Sequence, residues 1–238
     1  MKPLAIDLYC GLGGWADGFL AEGYRVIGFD IEAHDYGTGG YPGDLVLRDV
    51  RSIHGSEFCD AAVIVASPPC QQYSYRAMPW KRAKALPPPD NTLFNACFRI
   101  QREACEAAGR CIPLIVENVR GAQKWVGRAR WHFGSYFLWG DVPALMPQEL
   151  RIKGATGSWF FAADKRGDPR EASKYSLRSD SIKMHGSNAA WFDAGFTRFP
   201  SRSERRKAAS AQIAKIPFPL AQHIARCFKP DHAQTEGG

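Results

Sequence analysis

Continuous apolar runs recur through the first half of the chain and set its architecture. "LAID" (4–7), "YRVIGFD" (24–30), "AAVIVAS" (61–67) and "PLIVENV" (113–119) lack the alternation of a half-wet strand. They predict strands covered on both faces. Between the first two, "WADGFLAEG" (15–23) predicts a short helix ended by Gly23. Between the last two, Leu93, Cys97, Ile100, Ala104 and Ala107 recur at helical spacing. They predict a helix capped by Asp90 or Asn91, running to Gly109, with those five as its core-facing stripe. Strands alternating with helices imply an α/β fold with a doubly wound, mostly parallel, Rossmann-like sheet.

Beyond Gly140 the periodicity fades. Residues 141–200, rich in Gly, Ser, aromatic and charged residues, predict a small irregular module. Ser203 to Phe228 predicts two short helices, broken near "IPFP" (216–219), that return to the sheet. The expected organisation is a main domain over 1–140 and 201–238, with the module 141–200 set into it. Pro79 to Pro89, with four prolines and basic residues, predicts a mobile loop.

Composition narrows the class. The 238 residues, 45% of them hydrophobic, suffice for one core and a small appendage. Seven cysteines without a CxxC pair argue against zinc and against a disulfide framework, and fit reduced thiols in a cytoplasmic protein. The N-terminal apolar run is too short for a signal peptide, and no stretch reaches the roughly 20 apolar residues of a membrane span. Net charge is +7 and clustered: Arg76, Lys81, Arg82 and Lys84; then Arg120, Lys124, Arg128 and Arg130; then Arg202, Arg205, Arg206 and Lys207. A polyanion is the natural partner of such clusters, though a solvated basic face has the same composition.

"DLYCGLGGWADGF" (7–19) sets Gly11, Gly13 and Gly14 between a strand and a helix, where backbone N–H groups can meet a ligand closely. Asp30 ends the second strand, at the distance where nucleotide-binding folds hold ribose hydroxyls. The Gly11-Leu12-Gly13-Gly14 spacing is tighter than GxGxxG, which favours S-adenosylmethionine, a ligand without a pyrophosphate, over a dinucleotide. Asp49 in "LRDV" (47–50), at a third strand end, is placed to accept from an adenine amino group.

"SPPCQQYS" (67–74) delivers Cys70 behind two prolines, just past a buried strand. Glu117 ends another, where an unpaired carboxylate would cost several kcal/mol. A protonated or proton-sharing acid avoids that cost and becomes a donor. A thiol, a donor acid and a methyl carrier together suit a pyrimidine whose C5 is too unreactive to accept a methyl group directly.

In order, "DLYCGLGGWADGF", "GFDIE", "RDV", "SPPCQQYS" and "VENV" resemble the DNA (cytosine-5) methyltransferases. "AQIAKIPFPLAQHIA" (211–225) resembles the family's closing segment. The resemblance implies a methyltransferase-type Rossmann-like sheet and S-adenosyl-L-methionine as methyl donor. It also implies double-stranded DNA as partner, with the target cytosine flipped out. It implies that Cys70 adds to C6, Glu117 hydrogen-bonds or protonates N3, and Asn118 holds that loop. Arg130 and Arg128 would contact the target base or its phosphate and favour the thiolate. Cofactor contacts would come from Tyr9, Cys10, Gly11, Leu12, Gly13, Gly14, Asp30, Ile31, Asp49, Val50 and Pro69. No metal, membrane or particular protein partner is implied.

The chain departs from the family in places. No glutamine precedes Arg128 and Arg130, Ala214 and Lys215 stand where Gly-Asn is usual, and Tyr9 stands where phenylalanine is common. The region 141–200 is short for a target reader. Its Trp159, Phe160, Phe161, Trp191 and Phe192 suit either base stacking or a small core, and the size suggests a solitary phage-type enzyme. Two alternatives stay open: the same chemistry on RNA or a pyrimidine nucleotide, and a non-catalytic DNA-binding protein.

Overall fold

The structure, a computed structural model, describes residues 2–37, 39–74, 87–146, 207–208, 211–212 and 214–230. The four apolar runs supply four strands of a seven-stranded sheet in the order β3-β2-β1-β4-β5-β7-β6. Its strands are β1 (Leu4–Leu8), β2 (Arg25–Asp30), β3 (Asp44–Leu47), β4 (Val63–Ala66), β5 (Leu114–Asn118), β6 (Trp131–Phe133) and β7 (Tyr136–Gly140). The first five are parallel, and β7 runs antiparallel to both β5 and β6. This is the doubly wound, mostly parallel sheet expected. The β6–β7 hairpin was not. Its two aromatic-rich runs meet at Gly134-Ser135, and Gly134 takes φ 60°, the left-handed conformation that tight hairpin turns require.

Alternate residues of the strands face opposite layers. Ala5, Val26, Val63, Val65, Ile115 and Leu138 pack under α1 (Gly14–Ala21) and α4 (Phe218–Cys227). Ile6, Leu8, Phe29, Ile64, Leu114 and Val116 pack under α2 (Thr92–Ala108). A single helical turn, α3 (Gln123–Val126), lies between β5 and β6. The described residues between 207 and 214 are helical, and α4 starts after Pro217, consistent with two helices broken at Ile216-Pro217.

The stripe expected on α2 is rotated. Cys97, Ile100 and Ala104 are buried, but Phe94 and Ala96 join them, while Leu93 is half-buried and Ala107 exposed. The larger ring of Phe94, packed edge-on against Trp139, takes the core side. Asp90 is the side chain that caps α2, its Oδ1 accepting from Thr92 N at 2.8 Å and Thr92 Oγ1 at 2.5 Å. Gly109 closes the helix at φ 64°. Most of the Pro79–Pro89 loop, residues 147–200 of the expected module with its five aromatics, and Arg202, Arg205 and Arg206 lie outside the described residues.

Candidate active site

The chain leaves β1 towards β2 on one side and returns to β4 on the other. That reversal opens a crevice at the carboxyl ends of β1 and β4, the usual ligand position in such sheets. The loop after β1 carries the glycines, and the loop after β4 carries Cys70.

The glycine loop is fixed from several directions. Tyr9 has φ 58° and, among the described residues, is the only non-glycine in the left-handed region. Its hydroxyl donates to the Leu93 carbonyl at 2.9 Å. Gly11 N donates to Asp30 Oδ2 at 3.0 Å, and Ile31 N to Asp30 Oδ1 at 2.8 Å. Asp30 therefore joins the end of β2 to the loop, with His34 Nε2 3.6 Å from Oδ1. Gly13 has φ 71°, and a Cβ there would stand 2.3 Å from Pro42 Cδ; one on Gly14 would stand 2.4 Å from Ile216 N. A side chain at Gly13 would collide with the Pro42 ring and one at Gly14 with the Ile216 backbone. Cys10 and Leu12 are buried beneath the loop, whereas Ile31 is 72% exposed.

A site residue that the sequence reading passed over lies under this loop. Asp7 is fully buried in β1; its Oδ2 accepts from the Tyr41 hydroxyl at 3.1 Å, and its Oδ1 has no hydrogen-bond partner among the described residues. Burial pushes its carboxyl well up, with Asp30 and Asp17 adding to the rise. Burial, then Asp7 and Asp30, likewise push the Cys10 thiol up, which keeps it protonated. The signal was an acid interrupting an apolar strand, the same signal that singled out Glu117. Tyr41, 34 residues away, gave none.

Asp49 lies two residues beyond β3 and caps the short helical turn Val50–Ser52. Arg51 grips its carboxylate through Nε at 3.0 Å and Nη2 at 2.6 Å, holding the Asp49 carboxyl below its usual range. Val50 is buried.

On the other bank, Trp15 Nε1 donates to Ser67 Oγ at 3.0 Å, fixing the exit of β4 against α1. Pro68 is buried, Pro69 exposed and Cys70 half-buried. The Cys70 carbonyl accepts from Tyr73 N and Ser74 N, both at 3.0 Å, so a turn closes directly after the thiol. β5 lies beside β4, and both Glu117 and Asn118 are buried at its end. Asn118 Nδ2 donates to the Pro68 carbonyl at 2.9 Å, and its Oδ1 accepts from Val119 N at 2.8 Å. The Glu-Asn pair and the Pro-Pro-Cys segment are thus tied together two residues from the sulfur.

Tyr136 is buried near Glu117, and burial raises the pKa of its phenol. Its hydroxyl donates to the Lys215 carbonyl at 3.0 Å, and Lys215 Nζ pairs with Asp17 Oδ2 at 2.7 Å. The closing segment therefore reaches both β7 and α1. Arg128 and Arg130 are exposed on the approach to β6. Arg130 N donates to the carbonyl of Leu138, the register partner of Glu117, so β7 separates Arg130 from Glu117. Among the described residues no cluster is disposed to hold a metal ion, and no helix is long and apolar enough to cross a membrane.

The fold is that of a methyltransferase-type α/β protein. A family model for C-5 cytosine-specific DNA methylases matches residues 4–126 of the 238, and the chain belongs to that family. No curated protein matches it. Among solved structures it is similar to a prophage-encoded E. coli protein assigned as a DNA modification methyltransferase, at 23% identity and TM-score 0.38, covering 52% of this chain and 34% of that one. It is also similar to S. pombe Dnmt2 methyltransferase (16%, TM-score 0.36, 52% of this chain and 36% of that one). A third is Entamoeba histolytica methyltransferase EhMeth (17%, TM-score 0.35, 52% and 40%). The chain spans between a third and two fifths of the length of these proteins.

Proposed function

We propose that the chain methylates C5 of cytosine in double-stranded DNA, using S-adenosyl-L-methionine and a covalent bond between Cys70 and a flipped-out base. Family membership supports the reaction class. The observation that carries the residue assignment is the Asn118 to Pro68 hydrogen bond, which fixes the acid-bearing strand end against the thiol-bearing turn.

The crevice fits the donor. A ligand bearing a sulfonium and an ammonium group complements a loop flanked by Asp7, Asp30 and Asp17, with one Asp7 oxygen unpartnered. Tyr9, Cys10, Gly11, Leu12, Gly13 and Gly14 would line its aminoacyl side and Asp30 its ribose. Ile31, Asp49, Val50 and Pro69 would border the adenine and methyl ends. When bound, S-adenosyl-L-methionine supplies an electrophilic methyl group and leaves as S-adenosyl-L-homocysteine.

The chain's own residues prepare the base. Cys70 Sγ, as thiolate, bonds to C6, and the C5–C6 electron pair moves to C5. Glu117 donates to N3 as negative charge develops on the ring, so C5 becomes nucleophilic. After C5 is methylated, a base removes the C5 proton, the C5–C6 double bond reforms and the thiolate leaves. Pro68, Pro69 and Asn118 orient the sulfur; such orientation is worth several kcal/mol of barrier. Flipping the base costs a few kcal/mol, which phosphate contacts by Arg128 and Arg130 help to offset. Residues 141–200 would serve as the target-reading module.

The test is transfer of labelled methyl from S-adenosyl-L-methionine to DNA, RNA or dCMP by the chain and by Cys70→Ala. Label in DNA that vanishes with Cys70→Ala is the expected result. Label confined to RNA or dCMP overturns the substrate, and DNA binding without transfer to any of the three overturns the activity.

A further inference from the structure

Asn91 occupies the N-cap of α2 but makes no capping hydrogen bond. An asparagine there ordinarily accepts from the helix's free N–H groups. Asp90 does so instead, and the Asn91 side chain is turned elsewhere. Its Oδ1 accepts from the Tyr73 hydroxyl at 2.9 Å, and its Nδ2 donates to the Trp125 carbonyl at 3.3 Å. Tyr73 is 3% exposed and belongs to the turn that closes on the Cys70 carbonyl. A second tie joins the same two segments: Gln72 Oε1 accepts from Asp90 N at 2.7 Å.

We propose that Asn91 and Tyr73 are positioning residues for the Cys70 thiol, a role that rests on the methyl-transfer reading above. Upstream of the sulfur the chain is held at Pro68 by Asn118. Downstream it is held at Tyr73 by Asn91, which the Trp125 carbonyl orients in turn. The thiol thus sits on a short span clamped at both ends, one clamp in β5 and the other at the N-cap of α2. Removing one clamp lets the turn drift while the remaining core contacts of the Tyr73 ring persist. A drift of about 1 Å in a reacting atom can slow a step by about a hundredfold.

The experiment measures the rate at which the full chain forms a covalent adduct on DNA containing 5-fluorocytosine, with S-adenosyl-L-methionine present. The variants are Tyr73→Phe, Asn91→Ala and Asn91→Asp, each checked by thermal unfolding and by donor affinity. Tyr73→Phe and Asn91→Ala are expected to slow adduct formation ten- to a hundredfold with donor Kd unchanged. Asn91→Asp keeps an acceptor for the Tyr73 hydroxyl but loses the donor to the Trp125 carbonyl, and is expected to recover only part of the rate that Asn91→Ala loses. Adduct formation by all three variants at the unmodified chain's rate overturns the inference alone, as does a slowdown matched by an equal rise in donor Kd. No adduct from the unmodified chain, with Cys70 still open to alkylation, removes the methyl-transfer reading and this inference with it.

Discussion

Asp7 is a buried carboxyl group held by one hydrogen bond from Tyr41, while its other oxygen has no partner among the described residues. Such a group costs the ligand-free protein stability. Because burial raises its folded-state pKa, the folded state binds the extra proton. Its contribution to stability therefore falls as pH rises from the unfolded-state value through the raised folded-state value, and is restored on acidification. Two outcomes are expected. Asp7→Asn raises the thermal midpoint of the ligand-free protein near neutral pH, by an amount on the order of 1–3 kcal/mol in stability, and sharply weakens binding of S-adenosyl-L-methionine. A cationic ligand beside Asp7 favours its ionised form, so binding should release a proton and tighten with rising pH. Calorimetry in buffers of different ionisation enthalpy measures that proton directly.

At the scale of elements, the site is made by strand ends and by side chains that tie them. Asn118→Ala leaves the Pro68 carbonyl without its donor in a buried place, with an expected loss of about 1–3 kcal/mol read as a lowered thermal midpoint. Asn118→Asp is expected to be worse, because a carboxylate would face that carbonyl. Tyr9→Phe keeps the ring and removes the bond to Leu93, and is expected to raise the donor Kd several-fold while leaving Cys70 in place. Four of the five parallel strands were legible because burial on both faces writes itself as unbroken apolar runs, and Glu117 stood out against one of them; β3, mostly exposed at the sheet edge, carries no such run. The β6–β7 hairpin was weaker: its aromatic runs and Gly134-Ser135 turn fit a hairpin only once β5 is known to need an antiparallel neighbour. The rotation of the α2 stripe turned on one ring at the start of the helix, where Phe94 rather than its neighbour Leu93 takes the core side. Contacts such as Gly14 against Ile216, or Tyr41 with Asp7, join distant segments with no periodic signal, so the sequence had no means of stating them.

At the scale of the molecule, two kinds of cation stand out among the described residues. Arg25, Arg48, Arg51, Arg99, Lys215 and Arg226 pair with carboxylates. Arg120, Lys124, Arg128 and Arg130 are exposed, follow directly on β5, and form no ion pair among the described residues. Exposed cations of this kind are suited to phosphates, which position a protein without selecting sequence. Arg128→Ala and Arg130→Ala are each expected to weaken DNA binding on every sequence and to lower the salt slope by about one, with donor affinity unchanged. Binding titrations at several salt concentrations read that slope. The central claim is that the Cys70 sulfur bonds to the cytosine ring while the methyl group is delivered. It is tested most directly by mass spectrometry of the chain incubated with S-adenosyl-L-methionine and duplex DNA containing 5-fluorocytosine, where fluorine cannot leave as the C5 proton does. The expected result is a stable adduct whose mass maps to the peptide bearing Cys70 and is absent in Cys70→Ala. Active methyl transfer to ordinary DNA with no such adduct, or an adduct on another cysteine, would contradict it.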